Sequence, residues 1–137
     1  MGNEITTYDD IWAEFLVINS TENINLPQTE NQIHDIIHSA IKHFNNKMYE
    51  NDGLDFNDEK ETLNRKITDS EQITIAHILR YYFLQNCLTY YTSLFKPFTK
   101  EIGLQHYKAD VKSIEDAMDR EEKKINELIF NVSEDYL

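Results

Sequence analysis

Residues 34 to 38 read HDIIH, two histidines four apart with an acid directly after the first. On a helix that spacing brings both imidazoles to one side, as in the H-E-x-x-H signature of zinc hydrolases, whose glutamate acts as general base. Asp35 has one methylene less than that glutamate and a shorter reach to a metal-bound water. At about 100° per residue, His34 and His38 lie roughly 100° and 140° round from Ile33, and Asp35 near 200°, on the wet side. A catalytic zinc also requires a third protein ligand, and the downstream histidines His77 and His106 stand in no recognisable third-ligand motif. The pair therefore reads as the flank of a structural helix, with incidental metal capture as the alternative. No catalytic residue, cofactor or metal is expected.

The acidic stretch YENDGLDFNDEKE (49–61) raises the question of calcium. Glu50, Asp52, Gly53 and Glu59 fit positions 3, 5, 6 and 12 of an EF-hand loop, but position 1 is Met48 and Asp55 stands where a core hydrophobe belongs. A solvated acidic connector between helices is the simpler reading. No Gly-rich phosphate loop, nucleophile elbow or cysteine-based metal spacing occurs in the sequence. The expected protein is not an enzyme.

The elements that would position these residues are helices. Only three glycines and two prolines among 137 residues leave little material for the turns of an all-β fold. TTYDDIWAEFLVI carries Thr7 and Asp10 as an approximate capping box and predicts a first helix over about 8–18. Thr29 and Gln32 form another and open a second helix over about 30–49, whose Ile33, Ile36, Ile37, Ala40, Ile41, Phe44 and Met48 make one apolar stripe. Asp58 is placed to cap a short third helix, EKETLNRKI.

Thr68 and Glu71 start a long central helix that Pro97 stops. Its broad apolar face runs through Ile75, Leu79, Phe83, Cys87, Tyr90 and Leu94; a second patch of Leu84, Leu88 and Phe95 suits contact with another subunit. After the 97–105 connection, Tyr107, Val111, Ile114, Met118, Glu121, Ile125, Leu128 and Val132 alternate spacings of four and three, an a/d seam interrupted only by Glu121. The two long helices are expected to form an antiparallel hairpin. The prediction is an all-α bundle, with a single helical domain over 1–132 and a short tail over 133–137.

Twenty-five acids against thirteen bases give a net charge of -12, which disfavours nonspecific capture of nucleic acid or anionic lipid. Cys87 is the single cysteine. With no basic leader or long apolar span at the start, it suggests an intracellular origin. MGNEIT matches a myristoylation pattern, but no polybasic second anchor accompanies it.

This order of elements, a short acidic helix, LPQTENQIHDIIHSAIKHFNNKM, an acidic connector, a long aromatic helix, LFKPFTKEIG and a long charged helix, resembles the small helical head-tail connector proteins of tailed bacteriophages. The resemblance implies a structural virion protein at the head-tail junction, made in the host cytoplasm. It would form a homo-oligomeric ring, commonly of twelve copies, that extends the DNA channel from portal to tail. It also implies portal contact through residues 131–137, with Val132, Asp135, Tyr136 and Leu137 as contact residues. An acidic wall suits a channel through which DNA slides unheld, and a head-to-tail ring needs two different patches on one subunit, of which Leu84, Leu88 and Phe95 would be one. The alternatives are an acidic DNA mimic that inhibits a nucleic-acid-binding protein, and a generic helical interaction domain.

Overall fold

The computed structural model describes residues 5–19, 29–48 and 53–135, with residues 134 and 135 described by backbone alone. Helix α1 spans Tyr8–Ile18 and α2 spans Glu30–Met48; a two-stranded hairpin follows, β1 (Phe56–Asn57) pairing antiparallel with β2 (Thr62–Leu63). Helix α3 (Asp69–Phe95) leads through a 3-10 turn at Lys96–Phe98 and the short α4 (Thr99–Ile102) into α5 (Leu104–Asp135). The fold is essentially all-α.

The starts follow the side-chain chemistry of the chain. Thr7 Oγ1 accepts from the Asp10 amide while the Asp10 carboxylate accepts from the Thr7 amide. Thr29 and Gln32 repeat the exchange at α2, and Thr68 and Glu71 at α3. Each pair satisfies orphan amides of a first turn. Glu71 is buried, and Arg65 holds it with two further hydrogen bonds at 2.9 and 3.2 Å.

Helices α3 and α5 form the frame. Tyr91 stacks on Tyr107 near one end and Arg80 reaches Glu121 further along, so the two run antiparallel. At about 1.5 Å per residue α3 is about 40 Å long, but α1 and α2 cover only its N-terminal half. Ile11, Phe15, Ile37, Ile41, Ile75 and Leu79 are fully buried there, with Phe83 closing the core against Phe15 at a centroid distance of 5.6 Å. Ile125, Ile129 and Val132 complete it from α5. Beyond Phe83 the hairpin is a two-helix projection. Tyr90 and Leu94, expected on the core face, are therefore exposed, and Ile114, expected at a stripe centre, is only half-buried.

Three further expectations differ from the structure. The segment 59–67 is not a helix: residues 58–61 form a turn, Glu61 takes a positive φ of 55°, and Thr62–Leu63 enters the hairpin. The N-terminal chain competes successfully for this backbone, since Tyr8 N–H donates to Glu61 C=O and Leu63 N–H to Thr6 C=O. The last helix does not end at Val132 but continues through Asp135, and Val132 is buried in its own core, 3% exposed. Leu84 is likewise buried, at 6%, which removes it from the free patch assigned to a second subunit. At the start of α5, Gly103 adopts φ +88° between two helices, a region that costs other L-residues strain.

Candidate functional site

The hairpin delivers Asp58 and Glu61 to the face of α2 that carries the two histidines. Asp58 Oδ1 accepts from Tyr8 Oη at 2.6 Å and lies 2.6 Å from His38 Nε2. The His38 ring stacks on Phe56 with centroids 3.9 Å apart, so the first strand fixes its orientation. His34 packs edge-on to Tyr8 at 5.2 Å, with Nδ1 4.0 Å from Asp58 and Nε2 3.8 Å from Glu61 Oε2. The histidines are more enclosed than a helix flank requires, their side chains 13% and 20% exposed. Asp35 points to solvent, as its helical angle predicts. Glu30, one helical turn before His34, brings a third group: one ligand atom each from Glu30, His34 and Glu61 lies within 4.8 Å of the others.

The shared hydrogen bond moves Tyr8 and Asp58 in opposite directions. Burial and the adjoining Asp58 carboxylate push the Tyr8 hydroxyl well above the ordinary tyrosine range. The hydrogen bonds from Tyr8 and His38 hold Asp58 below the usual carboxylate value. A depressed folded-state pKa means that the Asp58 contribution is complete above the unfolded value, near pH 4, and is lost as pH falls through the lower folded value. Asp58 is 48% exposed, so screening limits the effect to under about 1 kcal/mol. Asp58→Asn should lower stability by that amount at pH 7 and by progressively less toward pH 3, as read by urea unfolding across that range. An equal loss at both ends would remove the carboxylate charge from the explanation.

His77, the other downstream candidate ligand, is engaged elsewhere. It contacts Glu121 from α3, while Arg80 Nη1 donates to the second Glu121 oxygen at 2.9 Å and Arg80 Nε to Asn19 Oδ1 at 3.2 Å. His106 is exposed beside Asp110. Of the calcium-loop residues, Glu50 and Asp52 lie outside the described residues; Glu59 is exposed in the hairpin turn. Gly53 approaches Asn45, whose side-chain amide clasps the Leu54 backbone at both N–H and C=O.

The expected partner-binding residues do not form one site. Leu88 and Phe95 remain half-buried along the projecting hairpin, and Leu88 lines an open groove of about 510 Å³ with Tyr81, Lys112 and Asp116. Around the tip, Tyr90, Leu94, Phe98 and Leu104 are between 42% and 52% exposed. Asp135 ends α5, and Tyr136 and Leu137 lie outside the described residues. No local sequence signal marks this tip, because which half of α3 is covered depends on where α1 and α2 dock.

Such a molecule is a small all-α protein with a polar clasp at one end of a helical hairpin and an apolar tip at the other. Among its described residues, no helix is long and apolar enough to cross a membrane. The chain belongs to the YomZ prophage protein family, whose pattern it matches over residues 5–134. It is 35% identical over 133 residues to the SPbeta prophage-derived protein YomZ of Bacillus subtilis (strain 168), an alignment covering 97% of this chain and all of that protein. No solved structure matches it.

Proposed function

We propose that this phage-related protein is a non-enzymatic head-tail connector, assembled as a ring beneath the portal and extending the DNA channel toward the tail. The observation that carries the reading is the uncovered hairpin tip with Tyr90, Leu94, Phe98 and Leu104 exposed. Outside that tip, Leu16 and Val17 on α1 and Phe130 on α5 are exposed as well. Two unlike patches on one subunit suit head-to-tail closure into a ring better than a two-fold dimer, which uses one patch twice. The net charge of -12 suits a wall past which DNA moves without phosphate capture. Prophage family membership supports a role in a phage life cycle.

In this reading Leu88, Phe95 and the tip meet a neighbouring copy, and the end of α5 with Asp135, Tyr136 and Leu137 faces the portal. Neighbouring neck or tail proteins complete the junction, and no membrane takes part. Native mass spectrometry, alone and with the cognate portal protein, tests it together with proteomics of purified particles. A ring on the portal and presence in the virion are expected. Leu94→Ser combined with Phe98→Ser should leave the melting temperature within about 3 °C, since exposed sites contribute little, and should abolish the ring. A protein absent from particles and monomeric with the portal would reject the proposal.

A further inference from the structure

We propose that Glu30, His34 and Glu61 form a binding site for a divalent transition metal of the zinc class. The site differs from the one HDIIH suggests: its ligands lie one turn before His34 and across on the hairpin, and His38 is not among them. Glu30 and His34 occupy i and i+4 on the opening turns of α2, and the 58–61 turn brings in Glu61. One ligand atom from each already lies within 4.8 Å of the others.

The decisive feature is the His34 ring. Among the described residues, its Nε2 is the buried side-chain nitrogen or oxygen that has no hydrogen-bond partner. A buried polar atom left unmatched is costly, and a lone pair facing carboxylates is matched by a cation between them. Glu61 Oε2 stands 3.8 Å from that nitrogen, too far for a hydrogen bond. Two ligands on one tetrahedral zinc, each about 2.0–2.1 Å from the metal, stand roughly 3.4 Å apart. The His34–Glu61 pair is close to that spacing, and Glu30, exposed at the helix start, has room to swing in.

The surroundings support the same assignment. Asp58 lies on the Nδ1 side of His34 at 4.0 Å and is itself held by Tyr8 and His38. A carboxylate behind the imidazole favours the tautomer with its proton on Nδ1, leaving Nε2 free as a ligand; such outer partners are a recurring part of histidine metal sites. Two carboxylates and a neutral imidazole bring a charge of about -2, which outweighs the half-unit positive charge at a helix N-terminus. Imidazole among so few ligands favours zinc, cobalt or nickel over magnesium and calcium, which take more oxygens. The bound ion would tie the start of α2 to the hairpin and, through Asp58 and Tyr8, to α1.

The test is titration of the chelator-treated full chain with Zn²⁺ by calorimetry. Co²⁺ absorption and the melting temperature serve as independent readouts. One equivalent of Zn²⁺ should bind, and at a hundredfold excess over Kd the melting temperature should rise by roughly 5–10 °C. Glu61→Gln should weaken binding at least tenfold and His34→Gln abolish it, while His38→Gln and His106→Gln change Kd less than threefold. Circular dichroism checks the fold of each variant; if His34→Gln fails to fold, Glu61→Gln decides, its site being 43% exposed. No saturable binding up to 1 mM Zn²⁺, unchanged binding in Glu61→Gln, or loss of binding in His106→Gln would overturn the site.

Discussion

Phe83→Ala should destabilise the protein by about 3–5 kcal/mol, the range for deleting a large aromatic from a packed interior, whereas Phe98→Ala should cost under about 0.5 kcal/mol. The side chains are chemically identical and fifteen positions apart, but their surroundings differ. Phe83 is 1% exposed at the point where α1 closes over α3, in an edge-on contact with Phe15. Phe98 is 51% exposed in the 3-10 turn at the tip. Truncating Phe83 loses buried apolar area and leaves a cavity beside Phe15 in the core; truncating Phe98 leaves only solvent. Urea unfolding followed by circular dichroism should show the midpoint falling sharply for the first variant at an unchanged slope. Comparable losses at both positions would mean that the covered half of α3 is assigned wrongly.

The same contrast explains what could be read from the sequence. Capping boxes depend on residues three apart, so Thr7 with Asp10, Thr29 with Gln32 and Thr68 with Glu71 were legible, and the helix starts agree with them. The stripe on α2 needs only helical periodicity, and its residues from Ile36 to Met48 are buried as expected. Coverage along α3 was not legible, because which half of a long apolar helix is capped depends on where α1 and α2 dock. For that reason Tyr90 and Leu94 are exposed and Leu84 is buried, against the pattern of the sequence.

The hairpin failed differently. EKETLNRKI contains good helix formers, but Thr62–Leu63 finds partners in Phe56–Asn57 on one side and in the backbone of Thr6 to Tyr8 on the other. Nonlocal pairing overrides local propensity here, and a change of that kind has no signature within a short window. The histidine cluster depended on it. His34 and His38 were visible as a pair, but Asp58 and Glu61 reach them only because 58–61 turns back. The pair was legible; its partners were not.

Glu121→Ala should cost about 3 kcal/mol, a large effect for an acid on a charged helix. Glu121 interrupts the apolar seam of α5, and the reason lies across the hairpin: its carboxylate receives Arg80 Nη1 at 2.9 Å and contacts His77. The three side chains are only 8%, 19% and 16% exposed for Glu121, Arg80 and His77 respectively. An exposed pair would contribute little. A shielded one leaves an uncompensated charge when one partner is removed, at roughly 3–5 kcal/mol, and the partial exposure of Arg80 argues for the lower end. Arg80 also donates to Asn19 at the end of α1, so the cluster joins three helices at once. Arg80→Ala should therefore be destabilising too, and the double variant should lose less than the sum, with a coupling of about 1–3 kcal/mol. Replacing all three by apolar residues, His77→Leu, Arg80→Met and Glu121→Leu, should recover much of the loss, because no buried charge is then left alone. The coupling should also survive 0.5 M salt, which screens surface charges far more than buried ones. Additive losses that vanish in salt would show that water, not the helix interface, surrounds these groups.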